Sequence, residues 1–145
     1  MSTSLRSGKK PLKVFLSHSH ADLLLARKIR NLLMHRLDFK VFMHEELGFG
    51  ESWLSQLRRR IEDCDVLVPL ITPDSVNDSW LLQETGAAWG LDKPIFPIVT
   101  RRDTLNQFPI AIDRHVALQP KDLDASETAE QFARAFEGAL AVPHA

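Results

Sequence analysis

Short hydrophobic runs alternate along this chain with longer segments in which hydrophobic residues recur every three or four positions. Short continuous runs are typical of buried strands, whereas the wider spacing is typical of helices that pack one face on a core. The strand-like runs occupy residues 13–17, 39–42, 65–71, 94–99 and 115–118. Helical spacing is found at 21–36, from 53 to 61, around 80–88 and from 129 to 140. The pattern therefore predicts strands and helices in alternation.

Alternation of this kind argues for an α/β fold built on a parallel sheet. We expect a flavodoxin-like, doubly wound sheet of five strands in the order 2-1-3-4-5, with helices on both faces. In such sheets a ligand binds beyond the carboxyl ends of the strands at which the order reverses, here strands 1 and 3. This rule selects the loop after Ser17 and the loop after Ile71 as the place for a site.

The chain has 145 residues and a formal net charge of −1, which suits one domain and gives no electrostatic attraction to nucleic acid or to an anionic membrane. Cys64 is the only cysteine, so an internal disulfide is excluded and a reducing compartment fits. The longest apolar run, residues 66–71, is too short to cross a bilayer, and the polar N-terminus lacks the apolar segment of a signal peptide. We expect a cytoplasmic domain over residues 13–145 behind a flexible tail of residues 1–12.

Trp80 and Glu84 lie four residues apart, shortly after the most apolar strand-like run. On a helix this spacing puts both side chains on one face, with the carboxylate one turn beyond the ring. Such a pair could hold an aromatic or heterocyclic ligand beside a bond under attack. It is equally the pattern of a core tryptophan with a surface glutamate, so the spacing alone leaves both interpretations open.

The segment after the first strand resembles part of a metal-binding motif, with His18, His20 and Asp22 at its first three ligand positions. Leu23 stands where the last histidine of that motif would be. Ser19 and Asp22 also have the spacing of a helix capping box. We therefore expect a helix cap here and no metal site.

Five motifs in order along the chain carry a family resemblance. They are VFLSHSHAD at 14–22, FKVF at 39–42 with GFGESW at 48–53, CDVLVPLITP at 64–73, SWLLQE at 79–84 and KPIFP at 93–97. In this order and spacing they make the chain resemble a Toll/interleukin-1 receptor (TIR) domain, in particular the bacterial type. The resemblance covers residues 13–99 well and the C-terminal third loosely. One departure is that Met43 and His44 precede Glu45, whereas in the family an acid often follows the phenylalanine of strand 2 directly.

Many TIR domains cleave NAD+ between nicotinamide and ribose, giving nicotinamide and ADP-ribose or a cyclic ADP-ribose. The resemblance implies that Glu84 is the catalytic carboxylate and that Trp80 stacks on a ring of the substrate. It also implies that Ser17, His18 and Phe42 border the substrate. One carboxylate suffices because nicotinamide leaves as a neutral molecule and needs no general acid, unlike the alkoxide of a sugar. NAD+ is then the substrate, and no cofactor or metal is expected.

The same resemblance makes the loop after strand 2 a surface for contact between TIR domains, in a homo-oligomer or filament. Its residues are Glu45, Gly48, Phe49 and Gly50, with Trp53 beyond them. A signalling or defence role and a sensor or effector partner are further expectations from the family. Two other functions stay open. One is a non-enzymatic TIR adaptor that acts by TIR–TIR contact alone, and the other is a nucleotide hydrolase like the nucleoside deoxyribosyltransferases.

Overall fold

The structure is a computed structural model that describes residues 11–44, 53–110, 112, 116–117 and 134–135. The strands within these ranges are β1 (Lys13–Ser17), β2 (Lys40–Met43), β3 (Val66–Ile71), β4 (Ile98–Val99) and β5 (Val116–Ala117). The α-helices are α1 (Leu23–Arg36), α2 (Trp53–Asp63), α3 (Ser79–Gly90) and the short α4 (Arg102–Leu105). No helix in these ranges is long and apolar enough to span a membrane. The predicted tail of residues 1–12 and most of the last predicted helix lie outside the described residues.

The strands form a sheet in the order β2-β1-β3-β4-β5, and every neighbouring pair is parallel. An α/β fold with a parallel sheet and helices is therefore confirmed. All six residues of β3 are buried, as expected of a strand that has neighbours on both edges and layers on both faces. The carboxyl ends of β1 and β3 lie side by side, since Ser17 is in register with Pro69.

The strand predicted over residues 94–99 is wrong in length. Only Ile98 and Val99 pair continuously with β3, and Ile95 forms an isolated bridge to Leu67. Pro97 lies between these two points of contact, and proline has no backbone N–H to donate to a neighbouring strand. Within the described part of the chain, the sheet thus has three longer strands and two strands of two residues each.

Helices cover both faces of the sheet, because alternate residues of a strand point to opposite faces. On one face, Val14 and Leu16 of β1 pack in a core cluster with Ala26, Ile29 and Leu33 of α1. On the other face, Phe15 joins a second cluster to which α2 and α3 contribute. Its buried members are Phe15, Leu57, Ile61, Cys64, Leu67 and Ala88, and Phe42, Trp80 and Ile95 pack against them.

The helix predicted over 21–36 begins as a short 3₁₀ turn, His20–Asp22, and continues as α1. The predicted capping box is wrong, because neither Ser19 nor Asp22 caps a backbone N–H with its side chain. Instead, the Ser19 hydroxyl donates to the Asp22 carboxylate at 3.0 Å. The same carboxylate oxygen accepts from the hydroxyl of Thr72 at 2.8 Å. Asp22 therefore joins the loop after β1 to the loop after β3.

Thr72 and Pro73 have the residue types of an N-cap and a first helical position, but the helix that carries Trp80 begins later. Residues 73–77 form turns, and α3 starts at Ser79 with Asp78 as its N-cap, whose carboxylate accepts from the backbone N–H of Leu81 at 2.8 Å. Ser75 holds the intervening turn, since its hydroxyl accepts from the Thr72 N–H at 2.9 Å and donates to the Leu70 carbonyl at 3.1 Å. These bonds set the start of α3 relative to the end of β3.

Replacing Asp78 with Ala should lower the free energy of unfolding by about 1 kcal/mol, because the variant leaves the first turn of α3 without its cap. Urea denaturation followed by circular dichroism measures this loss. Asp74→Ala, an exposed acid in the preceding turn, is the matched control and should change stability by less than about 0.5 kcal/mol. An equal loss in both variants would argue against the capping interaction.

Candidate active site around Glu84

The carboxylate of Glu84 lies at the carboxyl end of β1. Glu84 faces inward from α3, and the hydroxyl of Ser17, the last residue of β1, donates to its Oε1 at 2.6 Å. Ser17 is fully buried and Glu84 is 1% exposed. A hydrogen bond this short is typical of a hydroxyl that donates to an ionised carboxylate. The structure thus brings together two candidate residues that are 67 positions apart in the sequence.

Burial dominates the electrostatics of Glu84. It raises the pKa of the Glu84 carboxyl from 4.5 to about 7, because the charged form loses its hydration. The Ser17 hydroxyl and the Trp80 indole oppose this rise, and the negative charge of Asp78 adds to it. A carboxyl with a pKa near 7 can give up and take back a proton at neutral pH, which is the requirement for a general base.

Trp80 and His44 form a wall beside the carboxylate. The two rings meet edge to face with centroids 4.4 Å apart and planes inclined by 61°. The Nδ1 atom of His44 lies 3.8 Å from Oε2 of Glu84, slightly too far for a hydrogen bond. Burial lowers the pKa of His44, and the nearby charge of His18 lowers it further.

His18 and Phe42 occupy different surroundings. His18 is buried, and its Nδ1 donates to the Ser19 carbonyl at 2.8 Å, so that Nε2 is the ring nitrogen left for another contact. Within the described part of the chain this Nε2 has no hydrogen-bond partner. The ring of Phe42 lies 5.4 Å from that of Phe15 and 4.5 Å below the guanidinium of Arg60. Phe42 is on the same face of the sheet as Trp80.

A groove of about 520 Å³ between α2 and α3 reaches Glu84. Its lining is mostly apolar and consists of Leu54, Ser55, Leu57, Arg58, Ile61, Gln83, Glu84, Ala87 and Leu91. A depression of about 650 Å³ also runs along α2, lined by the polar residues Gln56, Arg59, Arg60, Glu62 and Asp63. Glu84 lines the first groove and not this depression, so we regard the first groove as the one connected to the site.

The side chains of the motif that resembles a metal-binding site do not converge on one point in the structure. His20 is exposed, His18 bonds to a backbone carbonyl, and Asp22 is engaged by Ser19 and Thr72. Among the described residues, no group of three His, Cys, Asp or Glu side chains is arranged to hold a metal ion.

Sequence reasoning missed His44 as a site residue. The topological rule points only to strands 1 and 3, whereas His44 directly follows β2. The predicted strand order does contain the signal, since β2 pairs in parallel with β1 and Met43 is in register with Leu16. The residue after Met43 therefore lies beside the end of β1. Of the predicted assembly loop, Glu45, Gly48, Phe49 and Gly50 lie outside the described residues, and so does the side chain of Trp53.

Residues 14–137 match the protein family described as TIR domain. The chain belongs to the TIR domain family. A comparison with curated protein sequences gave no match. Among solved structures, the chain is similar to the TIR domain of the Toll-related receptor TRR-2 from Hydra magnipapillata, with a TM-score of 0.59 and 15% identity over 83% of this chain and 97% of that one.

A second similar structure is that of the TIR domains of the activated Roq1 resistosome, which directly recognises the pathogen effector XopQ. Its TM-score is 0.56 and its identity 15%, over 91% of this chain and 85% of that one. At this level of identity both likenesses concern the fold. They agree with the parallel α/β architecture of this TIR domain, and its chemistry has to be argued from its own residues.

Proposed function

We propose that this TIR domain is an NAD+ glycohydrolase that cleaves the bond between nicotinamide and ribose. The observation that carries the proposal is the buried Glu84 carboxylate, held by Ser17 at the carboxyl end of β1 with Trp80 one helical turn away. A carboxylate buried to this degree costs folding free energy, so a chemical role gives a reason for its presence. Membership of the TIR family supports the proposal, because some TIR domains have this activity.

The proposed reaction fits a site with one carboxylate. The bond between C1′ of the ribose and the pyridinium nitrogen breaks, and its electron pair neutralises the cationic ring, so that nicotinamide leaves without being protonated. Ionised Glu84 stabilises the positive charge that develops at C1′. A water molecule then forms the new bond to C1′ and gives its proton to Glu84. If a ring nitrogen of the adenine attacks in place of water, the product is a cyclic ADP-ribose.

The neighbouring residues have supporting roles in this proposal. Ser17 orients the Glu84 carboxylate through the 2.6 Å hydrogen bond. Trp80 offers a stacking surface for a ring of the substrate, and stacking of this kind is worth about 1 kcal/mol. The buried Nε2 of His18 can accept a hydrogen bond from a ribose hydroxyl. Phe42 is a wall residue on the same face as Trp80. NAD+ acts as the substrate, and no separate cofactor is required.

The proposal is tested by incubating the purified domain with NAD+ and identifying the products by chromatography and mass spectrometry. We expect nicotinamide together with ADP-ribose or its cyclic form. Parallel incubations with deoxynucleosides separate this activity from that of a deoxyribosyltransferase-like hydrolase. Release of a free base from deoxynucleosides, with NAD+ left intact at every protein concentration, would overturn the proposal.

Assembly with other TIR domains is the second part of the proposal. Two well-exposed apolar side chains line the groove, Leu54 at 62% and Leu91 at 40%, and Trp89, at 65%, precedes Leu91 by two residues. Exposed apolar residues that cluster in this way are typical of protein–protein contact surfaces. The similar structure of the TIR domains in the activated Roq1 resistosome also supports assembly between TIR domains. A non-enzymatic adaptor would use the same contact, so the NAD+ assay distinguishes the two functions. We also propose a cytoplasmic signalling or defence role with a sensor or effector partner.

If assembly completes the site, the rate of NAD+ cleavage per molecule should rise with protein concentration. We expect at least a tenfold rise in specific activity over a hundredfold range of concentration, because a bimolecular association scales with concentration until it saturates. Initial rates measured beside light scattering give the comparison. Specific activity that stays constant over the whole range would contradict a requirement for assembly.

A further inference from the structure

His44 connects the interior of the candidate site to its surface. Its Nδ1 is shielded from solvent and lies 3.8 Å from Oε2 of Glu84, whose side chain is fully buried. The His44 side chain as a whole is 36% exposed, so other atoms of the ring carry the exposure. One face of this imidazole therefore meets the carboxylate and another part meets solvent. The edge-to-face contact with Trp80 holds the ring in that position.

The proposed reaction gives such a connection a use, because it produces one proton for every NAD+ hydrolysed. The attacking water gives its proton to Glu84, and the Glu84 side chain is 0% exposed. Before the next turnover this proton has to leave an interior site. Ser17 offers no way out, since it is itself fully buried.

We propose that His44 is the relay through which Glu84 returns its proton to solvent. The inference rests on the proposed hydrolysis of NAD+ and adds to the same site a residue that acts on the reaction through Glu84, without touching the substrate. The proton moves from Oε2 of Glu84 to Nδ1 of His44 while the ring gives up its Nε2 proton to solvent. The ring then carries the same number of protons as before, and exchange of its protons with solvent restores the starting tautomer before the next turnover. Each step moves one proton between oxygen and nitrogen, and no step needs a co-reactant. A contraction of less than 1 Å would bring the two atoms to hydrogen-bond distance.

The charged groups around the pair make the step from Glu84 to His44 uphill and the release of the proton from His44 to solvent favourable. His18 faces His44 from the loop after β1, and its charge lowers the pKa of His44, so the relay releases its proton readily. Asp78, on the same helix as Glu84, raises the pKa of the carboxyl. From α2, Arg58 lines the groove that Glu84 also lines, and its guanidinium is paired with Glu62 at 2.9 Å. The relay thus joins a carboxyl whose pKa burial raises to about 7 and an imidazole whose pKa burial lowers, so the imidazole holds the extra proton only in passing.

An NMR titration tests the contact without relying on catalysis. The ring resonances of His44, assigned by their loss in His44→Gln, are followed against pH in the wild-type domain and in Glu84→Gln. We expect the wild-type resonances to report the ionisation of Glu84 near pH 7 as well as that of His44, and Glu84→Gln to remove the first step. We also expect the pKa of His44 to fall by at least about 0.5 in Glu84→Gln, because an acidic partner is lost. Identical titrations in both proteins would overturn the proposal.

Chemical rescue tests the relay in turnover. His44→Ala should lower kcat for NAD+ cleavage at least about tenfold with little change in KM, because proton removal, and not binding, is impaired. Added imidazole should restore kcat in proportion to its concentration, and substituted imidazoles should do so in the order of their pKa values. A residue that only packs against Trp80 would not show this dependence. His35→Gln, an exposed histidine on α1, is the control and should be unaffected by imidazole.

The outcomes distinguish this proposal from the proposed function. If the wild-type domain cleaves no NAD+ at any concentration, the proposed function fails, and the NMR titration alone then decides whether His44 senses the ionisation of Glu84 as the relay requires. If the wild-type domain is active and His44→Ala either retains full kcat or loses it without rescue by any imidazole, the relay is wrong and the glycohydrolase proposal stands.

Discussion

Glu84→Gln should lower the rate of nicotinamide release from NAD+ at least about a hundredfold, with the fold intact. Gln has the size of Glu, and its carbonyl oxygen can still accept the hydrogen bond from Ser17 that the carboxylate accepts at 2.6 Å. The variant loses only the negative charge that stabilises the developing cation and the base that takes the proton of water. Effects of each kind are typically worth about 10²-fold or more. Initial rates at saturating NAD+, read by chromatography, give the comparison.

Glu62→Gln is the matched control for this variant. Glu62 is an exposed glutamate on α2 that pairs with Arg58 four residues earlier, and such surface pairs contribute about 0.5 kcal/mol or less. Its rate should stay within about twofold of the wild type. A Glu84→Gln variant that consumed NAD+ as fast as Glu62→Gln would show that Glu84 is not the catalytic carboxylate.

The same Glu84→Gln variant should be more stable than the wild type at pH 8 by about 3 kcal/mol, in addition to any difference that is independent of pH. Burial raises the pKa of Glu84 from 4.5 in the unfolded chain to about 7 in the folded domain. Between these values the folded state binds the proton and the unfolded state does not. The free energy of unfolding therefore decreases as the pH rises through this window, by about 1.4 kcal/mol per pH unit. Gln carries no charge and avoids that cost.

Thermal unfolding at two pH values measures this effect. At pH 8 the melting temperature of Glu84→Gln should exceed that of the wild type by roughly 6–12 °C more than at pH 4.5, where Glu84 is protonated in the folded domain. Comparing the difference at the two pH values cancels the titration of every group that does not interact with Glu84. A gain in stability combined with a loss of activity would exclude unfolding as the cause of inactivity. An equal difference at both pH values would contradict the raised pKa.

The fold was largely predictable because its signals are local and periodic. Buried strands such as β3 show as continuous apolar runs, and α1 shows as a regular spacing of leucines and isoleucines. The parallel arrangement follows from their alternation. The topological rule predicts a site at the carboxyl ends of β1 and β3, and there the structure brings Ser17 and Glu84 into contact.

Other features depend on competition between neighbouring residues that a local pattern does not resolve. Thr72 and Asp78 both suit the start of a helix, and Ser75 decides between them by holding the Thr72 N–H in a turn. Asp22 has the spacing of a capping acid, but its carboxylate bonds to the hydroxyl of Thr72, 50 positions away. The contact of His44 with Trp80 and Glu84 likewise joins residues that are distant in sequence. Such contacts become visible only when the strands are placed side by side.

The Asp22 bridge has a mechanical consequence for the site. Its carboxylate clamps the loop after β1 to the loop after β3 through Ser19 and Thr72, so these two loops move as one piece. Ser17 is part of that piece, and Glu84 is bonded to it. The opposite side of the site is carried by the end of β2, at the edge of the sheet, where β1 is the strand that pairs with it. The side of the crevice formed by the loops after β1 and β3 is therefore the more rigid one. We expect any widening or narrowing of the crevice to come from movement of the end of β2, which carries His44.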